Sequence, residues 1–291
     1  MLYNAALVLE GGAMRGQYST GVTDTFLKHH VEFKSVIGVS AGALCGANFV
    51  SKQYGRMVDV NTHYRHDRNY ISPLRLLKRE EILNLDFLFE DHGWDWHNFD
   101  ERAYQRSASD FTIVATALET GKAVTFTNAT GEEFITDLKA SSSMPFVSEP
   151  QVTTAGPCLD GGVADSIPFD IAQEQDFDKI VVVRTRPRDY RKKPTSRVLS
   201  EMYQHSFKDY PAFVDAGINR PTVYNQQVET LDQLEKDRQA FVIAPTEPIK
   251  VKRLEGNVKK IRQLYEQGQA QAEEILADVL NYLENQLMAA E

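Results

Sequence analysis

Five residues constrain this chain more than any others. Gly38-Val39-Ser40-Ala41-Gly42 reads G-x-S-x-G, follows the apolar pair Val36-Ile37, and runs into the small residues Ala43-Leu44-Cys45-Gly46-Ala47. A strand that ends at a serine and turns at once into a helix needs this pattern, because side chains two positions before and after the turn would block it. The helix N-terminus behind the turn presents the positive end of a dipole. The pattern predicts a strained, exposed and electrostatically assisted serine, a candidate nucleophile. A plainer reading stands beside it: a glycine-rich turn whose serine caps the helix.

The surrounding sequence reads as strands alternating with helices. Residues 5–9 form a first buried strand, a glycine-rich turn follows at 10–16, and a helix covers about 17–30. A second strand at 36–39 leads into Ser40, and a helical pattern runs from 43 to 54. Residues 111–118 and 123–127 are β-rich, with a turn signal at Asn128-Ala129-Thr130-Gly131. A helix over 132–142 stops before Pro145. Residues 179–184 (Lys-Ile-Val-Val-Val-Arg) are a further buried strand. Beyond a basic loop at 187–194, helical pattern resumes, broken near Pro211 and Pro221, to about 236. A last strand at 241–244 precedes a long helix or helix pair over 258–287, with Ile261, Leu264, Tyr265, Ile275, Leu276, Val279, Leu280 and Leu283 at helical spacing. This alternation argues for an α/β fold with a largely parallel sheet.

Three further clusters carry chemistry. Gly11-Gly12-Ala13-Met14-Arg15-Gly16 has the outline of a dinucleotide fingerprint, but Ala13 stands where the backbone would approach a pyrophosphate. The same turn also suits an oxyanion hole, with backbone N–H groups aimed into a cavity and Arg15 adding positive charge. Alternatively, Arg15 pairs with a surface carboxylate. Leu159-Asp160-Gly161-Gly162 reads as a turn, or as a loop that offers an uncrowded carboxylate able to take a serine proton. Ala140-Ser141-Ser142-Ser143-Met144-Pro145 reads on its own as a helix ending before a proline.

Together the four blocks resemble the patatin-like phospholipases, which carry G-G-G-x-R/K-G, G-x-S-x-G, A-S-x-x-x-P and D-G-G/A in this order. Here they fall at 11–16, 38–42, 140–145 and 160–162, and the resemblance spans about residues 5–185. It implies a three-layer α/β/α fold with a mostly parallel central sheet. It also implies a Ser–Asp dyad without histidine: Ser40 as nucleophile and Asp160 as general base. The oxyanion hole is expected around Gly11, Gly12, Ala13, Arg15 and Gly16, the nucleophile elbow at Gly38 and Gly42, and the dyad loop at Gly161 and Gly162. One departure is visible: Ala13 replaces the third glycine, which is tolerable at negative φ and straining at positive φ. The expected organisation is a catalytic core over 1–185, with a helical and aromatic insertion at about 56–108. A C-terminal helical extension over 186–291 with one strand packs on the same domain.

The expected activity is lipid acyl hydrolysis through an acyl-serine, on a fatty-acyl ester or phospholipid, with no metal or organic cofactor. Acyl transfer from the same intermediate, and a catalytically silent lipid-binding module, are the alternatives. An ordinary α/β-hydrolase places several strands before its elbow, and only one or two fit before Ser40. The seven histidines show no metal-ligand spacing, although His205 remains a candidate third triad member. A net charge of −9 gives nucleic-acid binding no electrostatic support. Contact with a membrane would then need a local basic patch, and the loop with Arg184, Arg186, Arg188, Arg191, Lys192 and Lys193 is the candidate. Phe87, Leu88, Phe89, Trp94, Trp96 and Phe99 are a candidate acyl-binding wall or lid, with core packing as the plainer alternative. Neither Cys45 nor Cys158 sits in a disulfide framework, the short apolar run 5–9 leads to the expectation of no signal peptide, and no apolar run reaches about 20 residues. A cytoplasmic location, with any membrane contact peripheral, is the expectation.

Overall fold

The computed structural model of the chain describes residues 1–70, 98–175, 177 and 179–285, together with Ser72, Asn84 and Phe87. Its centre is one eight-stranded sheet. The strands are β1 (Leu2–Leu9), β2 (Glu32–Val39), β3 (Asp110–Ala117), β4 (Ala123–Thr127), β5 (Gln151–Thr153), β6 (Gly156–Asp160), β7 (Lys179–Val183) and β8 (Ala240–Ile243). The order is β5-β6-β3-β2-β1-β7-β8, with β4 also paired to β3. The run from β3 to β8 is parallel; β4, β5 and β6 pair antiparallel.

Strand periodicity sorts the core into two faces. Leu7 and Leu9 of β1 pack with Tyr18, Val22 and Phe26 of α1 (Gly16–Lys28) and with α2 (Ala41–Val50). The intervening Ala6 and Val8 face Phe169, Tyr224 and Val228 on the other side. With both faces covered, β7 is apolar at Ile180, Val181, Val182 and Val183 without alternation. This is the three-layer α/β/α arrangement.

The remaining helices are α3 (Arg56–His63), α4 (Glu101–Gln105), α5 (Gly131–Ser142), α6 (Phe169–Glu174), α7 (Arg197–Ser206), α8 (Pro211–Lys236) and α9 (Val258–Glu284). The last of them lies directly on the first. A Cβ at Gly21 would stand 2.1 Å from the Tyr265 carbonyl oxygen, and one at Gly268 would stand 2.2 Å from that of Tyr18. Two glycines, one on each helix, thus let the backbones of α1 and α9 touch.

Two expectations change. The chain does not break at Pro221: α8 runs unbroken from Pro211 to Lys236. A proline inside a helix leaves its i−4 carbonyl without a donor and crowds it. Here that residue is Gly217, which has no side chain and sits against the Tyr203 ring, while Thr195 Oγ1 donates to the next carbonyl, Ile218, at 2.7 Å. Leu159 and Asp160, read from sequence as part of a turn or loop, close the strand β6 (Gly156–Asp160). Gly156 and Pro157 hide it from a propensity reading, because both are depleted in strands.

Candidate functional site

Ser40 is the junction between β2 and α2, at φ 56° and ψ −124°. A side chain in this glycine-favouring region costs about 1–3 kcal/mol, so the surroundings must hold it there. The Ser40 N–H donates to Ser141 Oγ at 2.8 Å, and the Ser141 hydroxyl donates to the Val114 carbonyl at 2.6 Å. The Ser40 carbonyl accepts from the N–H groups of Ala43 and Leu44. The flanking glycines are required by space. A Cβ on Gly38 would lie 2.5 Å from the Gly42 carbonyl oxygen, and one on Gly42 would lie 2.2 Å from that of Leu9. The Ser40 hydroxyl makes no capping bond to α2. It points elsewhere.

Sheet geometry decides where. Val114 of β3 pairs with Val39 of β2 and, on its other edge, with Thr125 of β4. The next residue, Ala115, pairs with Val124 of β4 and with Asp160 of β6. So β6 takes over the same edge of β3 at the point where β2 leaves it. The two strands meet nearly head to head, and their terminal residues face one another. Ser40 Oγ donates to Asp160 Oδ2 at 2.8 Å. The other carboxylate oxygen, Oδ1, accepts from the Gly162 N–H at 2.8 Å, which fixes the carboxylate plane. Thr116 Oγ1 donates to the Asp160 carbonyl, and the Asp160 N–H donates to the Ser143 carbonyl at 2.8 Å. Gly161 has no room for a side chain, since a Cβ would stand 2.2 Å from the Val114 carbonyl oxygen.

The sequence singled out the block 140–145 but gave Ser141 and Ser143 no role. The third block supplies one bond to the backbone of Ser40 and one to that of Asp160, and so holds the two halves of the pair in register. Its run of small hydroxyl residues at the end of an amphipathic helix was the available signal.

The first glycine block forms a 3-10 turn, Ala13–Arg15, beside this pair. Gly11 approaches Ser40: a Cβ there would be 3.3 Å from Ser40 Cβ. Gly12 abuts Thr185, and Gly16 abuts Ala41. Ala13 has φ 50°, so the alanine occupies the left-handed region where the resembled family carries glycine. Gly12 and Ala13 line the cavity, and their N–H groups donate to no protein acceptor among the described residues. Arg15 is buried and pairs with no carboxylate among the described residues, unlike the surface pairing considered from sequence. Burial, reinforced by Arg186 and Arg253, lowers its pKa to about 10.

The cavity above Ser40 has a volume of about 530 Å³. One wall is apolar, with Met144, Phe146, Val147, Leu199 and Tyr203. The other is cationic. No histidine among the described residues lines the cavity, and His205 is exposed on α7. Of the aromatic segment, Phe87 and Phe99 are buried away from the cavity, Phe87 against Tyr64 and Tyr70 and Phe99 against Tyr104 and Phe134. Leu88, Phe89, Trp94 and Trp96 lie outside the described residues. The basic loop divides. Arg188 pairs with Glu235, Arg191 pairs with Asp232 at 3.1 Å, and Arg184 is fully buried. Arg186, Lys192 and Lys193 line the cavity. Among the described residues no helix is long and apolar enough to cross a membrane.

Comparison with known proteins gives two family matches. A model described as patatin-like phospholipase covers residues 7–173, more than half of the chain. A second, described as a domain of unknown function (DUF6363), covers residues 210–284. The uncharacterized protein YjjU of Escherichia coli (strain K12) is 26% identical over 277 residues, 94% of this chain and 77% of that protein. The crystal structure of VipD from Legionella pneumophila superposes with a TM-score of 0.46 at 12% identity, over 95% of this chain and 67% of that one.

Proposed function

We propose, because the chain belongs to the patatin-like phospholipase family, that Ser40 and Asp160 are the dyad of a fatty-acyl ester hydrolase. The family makes the protein a lipid hydrolase at the coarse level; the residues and steps are our reading. The observation that carries it is the 2.8 Å bond from a strained, non-capping Ser40 hydroxyl to Asp160. A serine hydroxyl is a weak nucleophile until a base within hydrogen-bond reach takes its proton.

Ser40 Oγ attacks the ester carbonyl carbon while its proton passes to Asp160 Oδ2. The carbonyl oxygen becomes an oxyanion, and the free N–H groups of Gly12 and Ala13 are the donors in reach of the cavity. One such donor is worth about 2.7–4 kcal/mol of barrier. The tetrahedral intermediate expels the alcohol, whose oxygen takes the proton from Asp160. The acyl group is left on Ser40 Oγ. Water then attacks the acyl-serine, giving one proton to Asp160. As the intermediate collapses, Asp160 returns that proton to Ser40 Oγ and the fatty acid departs. The apolar wall of Met144, Phe146, Val147 and Leu199 is the acyl side of the cavity. Val198, Leu199 and Met202 leave an exposed apolar strip on α7 beside the mouth, which suits peripheral contact with lipid.

Intact mass after treatment with a fluorophosphonate tests the reading. Wild type should gain one adduct and Ser40→Ala none, and Asp160→Asn should react far more slowly. A folded wild type that takes up no phosphonate and turns over no nitrophenyl ester would remove it.

A further inference from the structure

The cationic wall asks for a ligand of its own. Arg15, Arg186, Lys192, Lys193, Arg220 and Arg253 line the cavity with Ser40, against two carboxylates, Glu10 and Asp160. This concentration of positive charge sits in a molecule of net charge −9. None of the six cations forms an ion pair among the described residues. Both carboxylates are already engaged. Glu10 accepts from Tyr224 Oη at 2.9 Å and from the Thr185 N–H, and Asp160 holds Ser40 and the Gly162 N–H.

The cations are also close to the reacting atoms. A Cβ placed on Gly162 would lie 3.0 Å from Asp160 Oδ1 and 3.1 Å from Arg220 Nη2. Lys192 Nζ donates to Ser166 Oγ at 3.0 Å and stands 3.8 Å from the centre of the Tyr224 ring. The Arg220 guanidinium is oriented without a hydrogen bond from its Nε. Burial lowers the pKa of both Lys192 and Arg220; repulsion from Arg220 and Arg253 adds to it at Lys192, and repulsion from Arg253 adds to it at Arg220, where Asp160 pulls the other way. An anion entering between them relieves that cost and gains charge-assisted hydrogen bonds.

The same residues argue against a zwitterionic headgroup. A quaternary ammonium is recognised by open aromatic faces or a free carboxylate. The Tyr224 ring is covered by Lys192 and the Tyr190 ring by Arg186, at 4.3 Å.

Resting on the hydrolase reading, we propose that the substrate is an acyl ester carrying a terminal phosphate monoester. That phosphate is bound by Lys192, Arg220 and Arg253, beside Arg15. All three ligands come from beyond residue 185, so the C-terminal segment supplies the headgroup subsite of the N-terminal site. The phosphate can belong to a membrane lipid or to a soluble ester.

The test begins with binding. Ser40→Ala protein, which keeps the cavity and lacks the nucleophile, is titrated calorimetrically with inorganic phosphate, glycerol 3-phosphate and glycerol. Both phosphates should bind and glycerol should not. Adding Lys192→Gln and Arg220→Gln should weaken phosphate binding by at least about tenfold. Arg253→Gln, at an exposed rim position, serves as a second variant should the double change fail to fold. No phosphate binding by the folded protein, or binding unchanged in the variants, overturns the proposal. Turnover is the second arm. Wild type should prefer 1-acylglycerol 3-phosphate over the matched 1-acylglycerophosphocholine by at least about tenfold in kcat/KM, a preference the variants lose; equal rates overturn it. If no ester is hydrolysed, the hydrolase reading falls and calorimetry still decides the phosphate site. Sedimentation with phosphatidic acid vesicles, against phosphatidylcholine vesicles, assigns the phosphate to a lipid. Binding of glycerol 3-phosphate without vesicle retention assigns it to a soluble ester.

Discussion

The two sides of the cavity are built by opposite means. The floor, from residues 10–16, 38–42, 140–145 and 160–162, is made of backbone: glycines at near-contact distance, a serine at positive φ, and bonds between main-chain groups. The cationic wall is made of long side chains: Arg15 from the first glycine block, and the rest, from residues 186–253, reaching in from a loop, the middle of α8 and the segment before α9. A backbone-built surface is intolerant of any added atom. A side-chain-built surface can be edited one charge at a time. The floor therefore fixes what reaction is possible, and the wall fixes which molecule undergoes it.

The contrast can be tested from both sides. On the floor, Ser40→Ala and Asp160→Asn should each lower kcat on a nitrophenyl ester by on the order of 10³-fold or more, measured at saturating ester. Gly42→Ala should cost about 3 kcal/mol or prevent folding, read by urea denaturation, because its Cβ would stand 2.2 Å from the Leu9 carbonyl oxygen. On the wall, Arg253→Gln should move the same unfolding curve by less than about 0.5 kcal/mol. If the two behave alike, the distinction fails.

Ser141→Ala should lower kcat by about 10–100-fold with KM little changed, since its hydroxyl holds the elbow rather than substrate. A rise in KM alone would contradict that role. Behind the cavity, Gln227 of α8 donates to Asp165. Burial, with Asp170 nearby, pushes its pKa up to about 7. A carboxyl raised on folding contributes stability that is full below the unfolded value near 4 and is lost as pH rises through 7. Asp165→Asn should therefore raise stability by about 1–3 kcal/mol at pH 8 and change little at pH 4. Thermal melts at the two pH values check the sign. Ala13→Gly should give a small gain, about 1 kcal/mol in urea denaturation, from relieving a left-handed alanine.

The floor was largely legible in the sequence because its requirements are local. Gly38 and Gly42 flank Ser40 within one turn, and the steric demand is written into their spacing. Asp160 was one of two readings of its own cluster, a turn or a base, and the order of the four blocks favoured the second. The head-to-head meeting of β2 and β6 on one edge of β3 leaves no trace in residues 156–160 taken alone. The wall was legible only in part: Arg15 and the basic loop with Arg186, Lys192 and Lys193 were candidates from sequence, whereas Arg220 and Arg253 are ordinary cations until the fold gathers them. Pro221 misled for a related reason: Gly217 and Thr195 accommodate it, and neither advertises that function.

The touching glycines of α1 and α9 bear on how the molecule is made. Gly21 and Gly268 are separated by nearly the whole polypeptide, so this contact closes one of the largest loops available to it. During synthesis the face of α1 that meets α9 stays uncovered until residues 258–284 have left the ribosome, while its contacts to β1 and α2 form from chain already made. An early helix thus completes its packing late, and the uncovered face is open to misassembly in that interval.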